Sequence, residues 1–266
     1  MNIDKPIFIL APARSGTTVF YNLFTRHKNT AFPEHFIDKH WESSFLMKFV
    51  PILVKIQQYR YKQRSLPHEG VFWRKYHDYN SIIDETNIIE EEKKFLHSMI
   101  KTQLKAFSAN RFVDRSHDFC LRLKYLNALF PDAFYIILKR DPRAVVNSQY
   151  TMIKDEWDPV KHQDTYGAVI NNFNSENKLE TCINYYKFYI KTMNDNLKFI
   201  KNKIEIDYED FVKNPRNELK KLYKFVGLDW YEELDNEIPE ILELKNNEKW
   251  KQLPEDEQLM LEKAFN

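Results

Sequence analysis

Apolar residues along this chain follow two rhythms. Ile7-Phe8-Ile9-Leu10-Ala11 and Phe134-Tyr135-Ile136-Ile137-Leu138 are unbroken apolar runs, as expected of strands buried on both faces of a parallel sheet. Ile204-Glu205-Ile206-Asp207-Tyr208 reads as a third buried strand, and Arg111 to Asp114 as a further short one. Elsewhere apolar positions recur every three or four residues, the period of a helix with one face inward. Val19, Phe20, Leu23 and Phe24 do so after Thr17, Phe95, Leu96, Met99, Ile100 and Leu104 within 90–107, and Ile183, Tyr186, Ile190, Met193 and Leu197 within 180–200. Another helix should follow Pro215-Arg216, carry Leu219, Leu222, Phe225 and Val226, and stop at Gly227, since proline suits a helix start and glycine its end. Strands alternating with helices predict an α/β fold in three layers, a central mainly parallel sheet flanked by helices. With no internal repeat or low-complexity linker, residues 1–266 are expected to form one domain with helical insertions; 64–80 and 154–178 look irregular and polar.

Composition narrows the field. Hydrophobic residues make up 43% of the chain and aromatic residues 15%, enough for a packed core and too much for a disordered chain. The formal net charge of +1 argues against a nucleic-acid-coating protein, which carries a basic surplus. Cys120 and Cys182 lie in apolar surroundings and read as buried reduced thiols, with no CxxC. The segment from Met1 to Pro6 has no basic stretch leading into an apolar one, so no signal peptide is read there. The apolar helical stretch from Phe45 to Ile56 is interrupted by Lys48, Pro51 and Lys55 and is too short to span a bilayer. A cytoplasmic protein is expected. There are only four glycines, where ordinary usage of about 7% would give roughly 19. Any anion site must therefore be built with very few of them, which excludes a GxGxxG loop.

Two segments concentrate the chemistry. Ala11-Pro12-Ala13-Arg14-Ser15-Gly16-Thr17-Thr18 joins a buried strand to an amphipathic helix, the place where backbone N–H groups and a helix terminus converge on a phosphate. Gly16 would let backbone approach the anion, Thr17 and Thr18 would add hydroxyls, and Arg14 stands where a nucleotide hydrolase has lysine. The loop departs from GxxxxGK[ST]: Ala11 replaces the first glycine and Thr17 the lysine. No strand ends in a clear metal-holding aspartate, and no HxxxH or HExxH is present, so a phosphate or sulfate clamped by arginine without a metal is expected. The second segment is Arg140-Asp141-Pro142-Arg143-Ala144-Val145-Val146-Asn147-Ser148. Arg140 falls at the carboxyl end of a strand, where open α/β sheets bind ligands, and Ser148 two turns into the next helix. Together they could grip a phosphate; alternatively Arg140 pairs with Asp141.

In order and position, Pro12-x-Arg14-Ser15-Gly16-Thr17-Thr18 and Arg140-Asp141-Pro142-Arg143-x-Val145-x-x-Ser148 resemble the two signature regions of sulfotransferases that use 3′-phosphoadenosine 5′-phosphosulfate (PAPS). The bacterial carbohydrate-type and tyrosylprotein branches are the most similar. Phe130-Pro131-Asp132-Ala133, Tyr208-Glu209-Asp210-Phe211 with Asn214-Pro215, and Trp250 extend the resemblance, leaving 36–110 as the poorly matching part. The resemblance implies a P-loop-type fold. It also implies that residues Arg14, Ser15, Gly16, Thr17 and Thr18 bind the 5′-phosphosulfate, and that Arg140 and Ser148 bind the 3′-phosphate. Tyr208 would contact the nucleotide, and Lys249 and Trp250 would belong to a loop closing over it.

Sulfuryl transfer needs a base at the acceptor hydroxyl and cations at the leaving oxygen. Glu34 and His35, in Phe32-Pro33-Glu34-His35, occupy the segment where relatives place a catalytic residue; His117, in Asp114-Arg115-Ser116-His117, resembles the Lys-Thr-His segment of the cytosolic enzymes, with Arg115 in place of lysine. All three remain candidates, Glu34 foremost. Residues 36–110 mix Lys55, Arg60, Lys62, Arg64, Arg74 and Lys75 with Tyr59, Tyr61, Phe72, Trp73, Tyr76 and Tyr79. That mixture suits a carbohydrate or glycolipid acceptor, or else a solvated face whose aromatics join the core. A magnesium-dependent P-loop kinase or hydrolase, and a nucleotide-binding module without catalysis, are the competing readings. The acceptor, the oligomeric state and peripheral membrane association are not readable from the residues.

Overall fold

A computed structural model describes residues 3–34, 40, 49, 52, 70–78, 81–153, 175–243 and 247–266. Its centre is a five-stranded parallel sheet in the order β2-β3-β1-β4-β5. The strands are β1 (Ile7–Leu10), β2 (Thr30–Ala31), β3 (Arg111–Arg115), β4 (Phe134–Lys139) and β5 (Lys203–Asp207). Ile7 stands opposite Val113 on one side and Phe134 on the other. The chain builds outward from β1 to β2, fills in β3 between them, and then crosses β1 to reach β4. That reversal opens a crevice beyond the carboxyl ends of β1, β3 and β4, where doubly wound sheets bind ligands.

Helices supply the parallel crossovers: α1 (Thr17–Phe24), α2 (Glu90–Phe107), α3 (Leu123–Leu129), α4 (Pro142–Ile153) and α5 (Lys178–Leu197). After β5 come α6 (Tyr208–Lys213), α7 (Pro215–Val226), α8 (Glu233–Glu237) and α9 (Glu255–Phe265). The heptad-like spacing within α2 gives its observed limits, and α5 begins two residues before its first predicted residue because the Asn177 side chain accepts the Leu179 and Glu180 N–H groups, at 2.9 and 3.2 Å. Pro215 opens α7, and Gly227 ends it in the left-handed conformation at φ +72°.

Every side chain of β1 is buried. The Phe8 ring lies 5.3 Å from Phe119, 5.7 Å from Phe130 and 6.0 Å from Trp73. Full burial of one such ring stabilises the fold by about 1.5 to 3 kcal/mol. β5 corrects a reading made from the sequence. Of its five side chains only Ile206 is buried, while Lys203, Glu205 and Asp207 are exposed. Among the described residues it is the edge of the sheet, with β4 its one neighbour, and charged side chains protect an edge from adventitious pairing. Cys120 and Cys182 are buried free thiols, as expected; burial pushes the Cys182 thiol up to about 12. Most of 36–69, the stretch 45–56 apart from single positions, and 154–174 lie outside the described residues.

Candidate anion-binding active site

The first loop turns sharply between β1 and α1. Arg14 adopts φ +74° and Gly16 φ +88°, and the Ser15 N–H donates to the Pro12 carbonyl at 3.3 Å. No side chain caps α1, so the N–H groups of its first turn point out of the helix beside the crevice, with the positive end of the helix dipole. Gly16 is required here for space as well as for its backbone angle, because a Cβ on it would sit 2.2 Å from Cε2 of Tyr208. Gln149 on α4 fastens the loop from the other side, donating from Nε2 to the Ala13 carbonyl at 2.9 Å.

The crevice encloses a cavity of about 650 Å³. Arg14, Arg115, Arg140 and Lys249 line it, with His117, Thr17, Thr18 and Ser148, and no described lining residue is acidic. The two signature segments meet across it: Arg14 Nε donates to Ser148 Oγ at 3.2 Å, and Arg140 Nη1 donates to the Arg14 carbonyl at 3.1 Å. The Arg140 guanidinium lies 4.8 Å from the centre of the Tyr208 ring, a cation–π contact. Its side edge is held by one oxygen, since Nε and Nη2 donate to Asn247 Oδ1 at 3.0 and 2.6 Å. Burial lowers the Arg140 pKa, with the nearby Tyr208 and Glu209 opposing the shift. Asp141 pairs with Arg143, at 3.0 Å, and accepts the Arg143 N–H at 2.9 Å. The ion pair in this segment is thus between Asp141 and Arg143, and Arg140 stays turned to the cavity.

Arg115 emerges at the end of β3. Asp114 beside it is fully buried, takes the Trp73 indole N–H at 2.7 Å and accepts the Arg115 N–H at 2.7 Å. The Arg115 guanidinium reaches to 3.5 Å from Thr17 Oγ1 and lies 5.7 Å from the centre of the Tyr21 ring. Arg115 Nε and Asn147 Oδ1 are buried with no hydrogen-bond partner among the described residues. A cavity with four cations, no described carboxylate and orphaned polar atoms fits a polyanionic ligand that brings its own hydrogen-bonding groups.

The remaining candidates fall in different places. His117 lines the cavity at the start of a short 3₁₀ turn, His117–Leu121, with Nε2 3.7 Å from Asp118 Oδ1. Glu34 is buried, 1% exposed, and is absent from the cavity lining; its N–H donates to Gln103 Oε1 at 3.2 Å. His35 lies outside the described residues. Lys249 lines the cavity, whereas Trp250 is buried beneath the Arg143 guanidinium, 4.8 Å from its ring centre, and does not line it. Three lining residues were not singled out from the sequence: Asn147, Thr151 and Asn247. Helical spacing from Arg143 would have put Asn147 and Thr151 on one face of α4. Asn247 carries no local signal, being 107 residues from its partner Arg140.

A model of the sulfotransferase family matches residues 6–232. The chain belongs to the sulfotransferase family. Both signature segments and Tyr208 to Pro215 fall inside the matched span, and Asn247 to Trp250 lie beyond it. Among solved structures, the sulfotransferase domain from the curacin biosynthetic pathway is 18% identical with a TM-score of 0.56, covering 99% of this chain and 98% of that one. The sulfotransferase domain from the Synechococcus PCC 7002 olefin synthase is 17% identical with a TM-score of 0.54, over 100% of this chain and 96% of that one. Sulfotransferase STF1 from Mycobacterium tuberculosis H37Rv is 14% identical with a TM-score of 0.59, over 99% and 77%. These likenesses show the fold, the P-loop-type α/β sheet of sulfotransferases. No curated protein matches the chain. No helix among the described residues is long and apolar enough to cross a membrane.

Proposed function

We propose that this sulfotransferase transfers the sulfuryl group of PAPS to a hydroxyl of a carbohydrate or glycolipid, by in-line displacement and without a metal. The observation that carries this reading is the cavity lined by Arg14, Arg115, Arg140 and Lys249 with no described acidic residue. A magnesium-dependent kinase site would set at least one carboxylate there to hold the ion; the donor set present is suited to phosphate and sulfate.

Bound PAPS supplies the sulfuryl group, and the products are a sulfate ester, adenosine 3′,5′-bisphosphate and the proton of the acceptor hydroxyl. The first turn of α1, with Arg14, Ser15, Gly16, Thr17 and Thr18, holds the 5′ end through backbone N–H groups, hydroxyls and one cation. Arg140 and Ser148 hold the 3′-phosphate, Tyr208 supports Arg140 from behind, and Lys249 adds charge from the C-terminal segment. Arg115 stands over Thr17 as the cation for charge developing on the leaving oxygen. His117 receives the acceptor proton: it shares the cavity with Arg115, whereas Glu34 lies buried outside the lining. For the buried Glu34 a supporting role remains.

The acceptor site is proposed to draw on residues 36–110. Two of its aromatics do something else, since Phe72 and Trp73 are buried in the core, so the ring-binding surface is assigned to the others. Incubation with PAPS and a panel of glycans, glycolipids, phenols and tyrosine peptides, read by mass spectrometry, tests the acceptor class. Sulfate esters on sugar hydroxyls are expected; products confined to phenols or peptides would overturn that part of the reading.

A further inference from the structure

Asn247 occupies an unusual place between two opposite charges. Its Oδ1 accepts from Arg140 Nε at 3.0 Å and from Nη2 at 2.6 Å, and its Nδ2 donates to Glu209 Oε1. Only this orientation of the amide satisfies both sides, because guanidinium offers donors alone and carboxylate acceptors alone. The same Glu209 oxygen also accepts the Asp141 N–H at 3.3 Å. The ring of Tyr208 closes a third side of Arg140, and the Arg14 carbonyl takes Nη1. Without the amide, nothing in this set would separate the Arg140 guanidinium from the Glu209 carboxylate.

We propose that Asn247 is a positioning residue that insulates Arg140 from Glu209, and that it thereby sets the preference of the site for a nucleotide carrying a 3′-phosphate. The inference rests on the PAPS reading and extends it to a residue outside the family-matched span. A direct pair between Arg140 and Glu209 would be charge-assisted and about twice as strong as a neutral hydrogen bond. It would turn the guanidinium away from the cavity and cancel its charge. The amide instead holds the side edge of Arg140 with a neutral acceptor, which a phosphate dianion can outcompete or join. It also keeps Glu209 in place as a backbone acceptor at the start of α4.

Calorimetry with two ligands tests this, using adenosine 3′,5′-bisphosphate and adenosine 5′-phosphosulfate, which lacks the 3′-phosphate. Asn247→Ala should weaken the bisphosphate about 10-fold and Asn247→Asp about 30-fold, the latter by placing a competing carboxylate on the Arg140 edge. Binding of the phosphosulfate should stay within about 3-fold for both, as expected of a contact that acts at the 3′ end alone. Adding Glu209→Gln to Asn247→Ala should return the bisphosphate to within about 3-fold of wild type, since the insulated charge is then gone. A merely structural role for Asn247 would show equal losses for the two ligands and no rescue by Glu209→Gln, and either result overturns the inference. Unchanged bisphosphate affinity in Asn247→Ala overturns it too. If the wild-type protein itself shows no preference for the bisphosphate, the donor reading fails and this inference with it.

Discussion

Gly16→Val is expected to abolish usable donor binding and to lower the melting temperature as well. Two effects coincide at this residue. Its φ of +88° is open to glycine and a genuine outlier for a β-branched side chain, and holding such a conformation costs about 1 to 3 kcal/mol. Even the first added carbon would fall 2.2 Å from Cε2 of Tyr208, so the ring must move. Tyr208 supports Arg140 from one face, and its displacement loosens the second half of the site along with the first. Losing two charge-assisted contacts at about 1.5 to 3 kcal/mol each corresponds to a fall of about 100-fold or more in affinity. The strain alone, at about 2 °C per kcal/mol for a chain of this length, should lower Tm by about 2 to 6 °C. Differential scanning fluorimetry and calorimetry on the variant check both. Wild-type affinity for adenosine 3′,5′-bisphosphate with an unchanged Tm would show that backbone at Gly16 does not face the ligand.

Replacing His117 with alanine should reduce sulfuryl transfer by about 10² to 10⁴-fold, the usual contribution of a positioned general base. Donor affinity should stay within about 3-fold, because the phosphate grips are proposed to lie on Arg14, Arg140 and α1 rather than on the imidazole. The distinction from Glu34 is geometric. His117 sits at the cavity wall two residues after Arg115, the cation assigned to the leaving oxygen. Glu34 is 1% exposed, with its backbone tied to Gln103. Glu34→Gln, which keeps shape and hydrogen-bonding, should therefore cost less than about 10-fold in turnover if its role is support. Single-turnover rates at saturating PAPS for the two variants decide between them; the reverse ranking would move the base to Glu34.

Much of the fold was legible in the order of apolar residues, and the reasons differ by element. β1 and β4 lie inside the sheet, so apart from Lys139 at the exposed end of β4 their positions are apolar and the runs announce themselves. β5 is an edge strand whose alternation, Ile204-Glu205-Ile206-Asp207, reports one wet side, and reading it as buried overlooked that period. The order β2-β3-β1-β4-β5 is set by crossovers through long helices, which no local pattern encodes. The candidate site divides in a similar way. Arg14, Arg115 and Arg140 stand at strand ends or in the loop that follows one, where chain position alone points to a ligand, and Ser148 lies two turns into the helix after Arg140. Asn247 was invisible because its importance comes from a contact across the fold. Trp250 is expected from the sequence in a segment closing over the nucleotide; its ring instead packs under Arg143, since a large apolar side chain gains more from burial than from facing a polar cavity.

The scarcity of glycine has a plain structural counterpart. One glycine, Gly16, stands at the start of α1 with its backbone against the Tyr208 ring, in the loop proposed to hold the anion, and arginines and hydroxyls are proposed to do the rest. Calorimetric comparison of adenosine 3′,5′-bisphosphate with ATP in the presence of magnesium tests the donor assignment most directly. A cavity with no carboxylate among its described lining residues and the proposed Arg140 grip predict tight binding of the bisphosphate, at least about 10-fold tighter than ATP, as one charge-assisted phosphate contact would give. Equal or tighter binding of magnesium ATP would contradict it.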